Sequence, residues 1–170
     1  MDCFLINDVL FKLTMKVQII FLLFLLIGST TFSQVNKKRV YECLNSSSKA
    51  EITEEIKKLQ AKSETSENLA FLGALKMKAA QFGDKPKDRL EDFKIGKALL
   101  EKEISANPKL VEYRFLRLMI QENAPAILKY QSNIREDVLL IENGYSTTKG
   151  ETKTAIASYS KVSKHLKKLQ

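Results

Sequence analysis

The stretch ISANPKLVEYRFLRLMIQENAP, Ile104 to Pro125, constrains the fold of this chain more than any other. Asn107-Pro108 opens it and Asn123-Ala124-Pro125 closes it. Asparagine is a good helix N-cap, and proline fits the first helical position, where its missing N–H costs nothing. On such a helix Val111, Phe115, Leu118 and Met119 share one face, while Leu116 and Ile120 point elsewhere. A helix with two apolar faces must be packed on two sides. The pattern predicts a central helix with neighbours before and after it.

The flanking sequence supplies those neighbours. Glycine and proline are scarce, 6 and 3 in 170 residues, and no strand-like alternation persists, so the chain reads as all-α. Val40, Tyr41 and Leu44 turn inward on a short first helix. Ser48 and Glu51 then form a capping box ahead of Ile52, Ile56 and Leu59. A helix from about Asn68 to Gln81 presents Leu69, Leu72, Leu75, Ala79 and Phe82. Another, near Asp88 to Ala106, presents Leu90, Phe93, Leu100 and Ile104. After Pro125, residues Ile127, Tyr130, Ile134, Val138 and Ile141 keep helical phase, either as one helix or broken near Asn133, which forms a capping pattern with Glu136. A last helix, about Thr152 to Leu169, carries Ile156, Tyr159, Leu166 and Leu169 on one face and Lys161, Lys164 and Lys168 on the other.

The N-terminus stands apart. Met15-Lys16 precedes VQIIFLLFLLIG and then STTFSQ, the positive, apolar and small-residue order of a secretory leader. The apolar run from Val17 to Ile27 is shorter than the roughly 20 residues of a spanning helix, although an uncleaved anchor is the alternative. Thr31 and Ser33 fit the small-residue positions of a cut before Gln34. The expected organisation is an upstream extension at 1–14 that is not translated, a cleavable signal peptide at 15–33, and one helical domain at 34–170. Lys12 and Lys16 balance Asp2 and Asp8, so the net charge of +8 stays with the exported domain. That charge suits solubility and anionic surfaces. No basic–aromatic ladder points to nucleic acid. Export would leave Cys43 as the single cysteine, too few for a disulfide framework, so it reads as a small helix-face residue, with an intermolecular bridge as the alternative.

The segment GKALLEKEISANP resembles the second helix of a tetratricopeptide repeat. With Pro108 as its closing proline, Gly96 takes the small-residue position and Leu100 the bulky one, while Glu103 departs from the usual small residue. FLGAL, Phe71 to Leu75, resembles the Leu-Gly signature of the first helix. The family repeat is about 34 residues long; here extra residues in FGDKPKDRLED separate Gly73 from Gly96. The resemblance covers about Asn68 to Asn123 and implies a stack of antiparallel helical hairpins. The whole chain also resembles the short exported proteins of Gram-negative bacteria whose leaders end before a glutamine. That likeness implies a periplasmic or extracellular place and no activity.

No catalytic constellation emerges. His165 is the single histidine and lies among lysines, with no partners for a zinc site, so it reads as a surface residue. Ser46 to Lys49 fits a Ser-x-x-Lys pattern but lacks the partner motifs that penicillin-recognising enzymes need. Asn45-Ser46-Ser47 matches a glycosylation sequon that matters only in a eukaryotic secretory pathway. No Gly-rich phosphate loop and no His-Glu-x-x-His occurs. No cofactor and no metal is expected.

The candidate partner-binding residues are Arg114, Arg117 and Gln121, a polar stripe on an otherwise apolar helix. Either the stripe meets water, or the arginines pair with Glu101, Glu103 or Glu122, or they line a groove that grips a partner's acidic peptide or C-terminus. Two function classes follow. One is a non-enzymatic exported module binding a protein partner through a helical groove. The other is a peripheral envelope protein whose Lys161, Lys164 and Lys168 contact anionic lipid or lipopolysaccharide. An enzyme is a third option, supported by no motif.

Overall fold

The protein is described by a computed structural model, which covers residues 34–167 and Leu169. The extension, the leader and Lys168 lie outside the described residues. Seven α-helices and no strand occur among them: α1 Lys37–Asn45, α2 Lys49–Gln60, α3 Ser66–Ala79, α4 Pro86–Ala106, α5 Val111–Asn123, α6 Ile134–Gly144 and α7 Gly150–Tyr159. Short 3₁₀ turns follow α3 at Ala80–Phe82 and α5 at Ala126–Leu128. The fold is all-α. No helix among the described residues is long and apolar enough to cross a membrane.

Helix α5 is central, packing on α3, α4 and α6. Every residue from Glu112 to Gln121 is buried. Aromatic rings tie the layers together: Tyr41 of α1 meets Phe71 of α3 at 5.7 Å and Phe115 of α5 at 5.6 Å, and Phe115 meets Tyr159 of α7 at 5.7 Å. Each such ring contributes roughly 1.5–3 kcal/mol through burial alone. Helices α3 and α4 run as an antiparallel hairpin whose backbones touch where two glycines meet. A Cβ on Gly96 would lie 2.6 Å from the Gly73 carbonyl oxygen, and one on Gly73 would lie 2.8 Å from that of Gly96.

Several local expectations are corrected. Asn107 terminates α4 as its C-cap, and α5 starts at Val111, so Pro108 lies between the two helices. The Asn107 amide instead donates to Ser66 Oγ at 3.2 Å. Helix α3 is buried nearly all round, with Ala70, Phe71, Ala74 and Met77 inside beside Leu72 and Leu75, whereas Leu69, Ala79 and Phe82 are half-buried. Ser48 caps α2 by accepting from Glu51 N–H, but Glu51 accepts from Ser46 Oγ rather than closing the box on Ser48. The segment after Pro125 breaks, and α6 begins at Ile134. Cys43 is free and buried.

Candidate functional site

The polar stripe of α5 is an internal ion network. Arg114 is 7% exposed, Arg117 3% and Asp137 of α6 0%. Arg117 forks onto Asp137 with Nε–Oδ2 at 2.7 Å and Nη2–Oδ1 at 2.6 Å, and its Nη1 reaches Glu101 of α4 at 2.9 Å. Arg114 donates to Asp137 Oδ1 at 3.1 Å and to the Pro108 carbonyl at 3.0 Å, and pairs with Glu136 at 2.9 Å. Tyr130 closes the cluster by donating to Glu101 at 2.5 Å. Burial works against the Arg117 charge, but the hydrogen bond and attraction of Asp137, aided by Glu101, outweigh it and raise its pKa. Burial likewise pushes the Tyr130 phenol up, reinforced by Glu101.

Of the alternatives the sequence left open for Arg114 and Arg117, the structure places them in internal ion pairs, with Glu101 as one partner of Arg117. The Arg117 fork is committed to α4 and α6, and Arg114 spends Nε and Nη1 on Pro108, Asp137 and Glu136. Gln121, one turn on, is 1% exposed, and neither of its amide atoms finds a partner among the described residues. The sequence identified all three α5 residues but not Asp137, the carboxylate that organises them. An acidic residue three after Ile134 and four before Ile141, in phase with the apolar stripe, was the available signal.

Two further buried carboxylates stitch helices together. Glu112 accepts from Lys37 of α1 at 2.9 Å, from Tyr41 at 3.1 Å and from Thr152 of α7. Glu103 accepts from Ser66 Oγ at 2.6 Å, which explains a charged residue where the repeat pattern has a small one. Among the described residues no cluster with metal-ligand character is found.

The extent of the last helix is corrected too. Helix α7 stops at Tyr159, so Lys161 and Lys164 are exposed on an irregular segment rather than on a helix face. That segment is folded back by Glu122 of α5, which accepts from Tyr159 at 2.7 Å, Ser163 at 2.6 Å and the His165 backbone at 3.1 Å. His165 Nδ1 also lies 2.9 Å from Glu122, so the histidine is engaged rather than merely solvated. Burial disfavours the Glu122 carboxylate, but these donors outweigh it and hold its pKa below the ordinary value. Ser163 bonds this same carboxylate, not the imidazole, so the three residues do not form a nucleophile relay of the Ser–His–acid type.

Beside the C-terminal turns of α5 the surface opens into a groove of about 530 Å³. Met77 and Ala80 of the α3 end, Leu90 and Phe93 of α4, and Met119 and Ile120 of α5 supply apolar walls, and Leu128 and Ile127 form the lip. The lip exists because Pro125 ends α5 and Lys129 adopts a left-handed conformation, φ 47°, that turns the chain back. Ile127 is 86% exposed and Leu90 42%, where the periodicity predicted both inside. The charged residues in the lining are Lys78 and Arg89, and no lining residue is a carboxylate. Arg89 Nε donates to the Gly83 carbonyl at 2.5 Å. Burial pushes the Lys78 ammonium down. Nothing in the spacing marks this site, because exposure of an apolar residue is not written there.

Comparison with known proteins yields no matching family model, no matching curated protein and no matching solved structure.

Proposed function

We propose that residues 34–170 act, after export and removal of 15–33, as a non-enzymatic helical module that binds a segment of a protein partner in the apolar groove. The finer architecture in this reading is a stack of antiparallel, tetratricopeptide-like hairpins, supported by the Gly73–Gly96 backbone crossing. The observation that carries the function is the groove itself: an open apolar trough with Ile127 and Leu90 exposed on its edges. Large exposed apolar side chains beside a concave wall mark an interaction site. Val35 is buried and Lys62 donates to the Gln34 carbonyl at 2.6 Å, so the first residues of the expected mature chain belong to the helical domain.

A neutral helical peptide with leucines on one face tests the groove reading by fluorescence anisotropy. Binding that disappears in Ile127→Asp and Leu90→Asp, and survives Lys161→Gln with Lys164→Gln, is the expected result. Binding lost only in the lysine variant would favour the envelope-surface alternative instead. Mass spectrometry of the exported protein should find an N-terminus at Gln34; a chain retaining Met15 overturns the leader reading.

A further inference from the structure

We infer that the groove takes an amphipathic helix whose apolar stripe is flanked by Asp or Glu on the side that meets Lys78 and Arg89. The inference rests on the groove reading above and specifies the chemistry of its occupant.

The first argument concerns backbone. An extended segment laid in the groove would bring an unpaired N–H and C=O at every residue. The walls that meet it are mostly apolar side chains such as Met77, Phe93, Met119, Ile120 and Leu128, and the few polar ones, Lys78, Gln81, Arg89 and Asn123, are too sparse to pair an extended backbone. No strand edge exists among the described residues to accept such a segment by sheet extension. A helix satisfies its own backbone and needs only an apolar stripe at helical spacing, the pattern used by groove-bound helices.

The second argument concerns charge. The lining holds two cations and no carboxylate. Among the described residues neither Lys78 nor Arg89 has a carboxylate within salt-bridge distance, whereas Arg114 and Arg117 both pair with Asp137. Arg89 spends Nε on the Gly83 carbonyl, which aims the guanidinium while leaving its two terminal nitrogens for another acceptor. Lys78 is half-buried beside apolar neighbours, so its ammonium has lost water without gaining a counter-ion. A carboxylate arriving with the ligand would supply one. Both cations come from the α3–α4 hairpin, and none comes from the α5 wall or the lip, so the acidic flank of the occupant is one-sided.

Three stapled peptides of about 15 residues, identical on the leucine face and carrying Glu, Gln or Lys on one flank, test this on the purified full-length chain. The Glu peptide is expected to bind about tenfold more tightly than the Gln peptide, and the Lys peptide more weakly than either. The advantage should shrink as salt rises. In Lys78→Gln with Arg89→Gln the Glu peptide should fall to the affinity of the Gln peptide, and the Gln peptide should bind as before. Equal binding of all three peptides, lost in Ile127→Asp, would overturn the charge inference and leave the groove reading standing. No peptide binding alongside saturable binding of a long-chain fatty acid would overturn the inference and the protein-partner reading together. Circular dichroism of each variant confirms that it is folded.

Discussion

The two halves of α5 treat charge in opposite ways. Toward α4 and α6, Arg114 and Arg117 are buried and paired to Asp137, Glu136 and Glu101. Toward the groove, Met119 and Ile120 are apolar, and among the described residues no carboxylate pairs with the nearby Lys78 or Arg89. The more conspicuous pair in the sequence is the structural one. A guanidinium inside a helix bundle is held by what it neutralises, and only a charge left uncompensated is available to a partner.

The largest test of this contrast removes the shared carboxylate. Asp137→Ala leaves two buried guanidiniums without their main counter-ion and is expected to cost roughly 3–5 kcal/mol in a denaturant titration. A cost below that of an ordinary surface change would mean that the arginines reach water. Next comes the hairpin that carries the groove cations. Gly96→Ala places a methyl against the Gly73 carbonyl and Met77 N, at 2.6 and 2.7 Å, so the helices must separate, at about 1–3 kcal/mol. An unchanged midpoint would show that the crossing is looser than the described contact.

An acid titration gives a smaller effect. The Glu122 carboxyl lies below its ordinary 4.5 in the folded protein. Its contribution is therefore fully present above that value and lost as pH falls through the lower, folded value. Acid should loosen the segment from Ser160 to Leu166 before the core melts, as read by amide exchange, and Glu122→Gln should remove that step. The smallest effect is expected at the lip: Ile127→Ser should change stability by less than about 0.5 kcal/mol while abolishing binding of the leucine-faced peptide.

How far the sequence foretold this follows from what periodicity encodes. Buried stripes are periodic, so the all-α class, the central place of α5 and inward positions such as Phe93, Leu100, Ile104, Ile141 and Ile156 were legible. Helix ends were less so. Asn107-Pro108 has the chemistry of a helix start, but Asn107 serves α4 and Ser66 instead. Lys161 to Lys168 continues the helical pattern, yet Glu122 gathers Tyr159, Ser163 and His165 and stops the helix. The groove was invisible for a related reason: Leu90 and Ile127 keep apolar phase with neighbours that are buried, and only the turn at Lys129 and the position of α4 leave them outside.

The central claim is that one cation pair belongs to the fold and the other to a ligand, and paired thermal melts test it most directly. Arg114→Gln with Arg117→Gln should lower the melting temperature by about 10 °C or more. Lys78→Gln with Arg89→Gln should leave it unchanged or slightly higher, because a desolvated, uncompensated ammonium is removed. Equal melting of both variants, or a larger fall in the groove variant, would contradict the account.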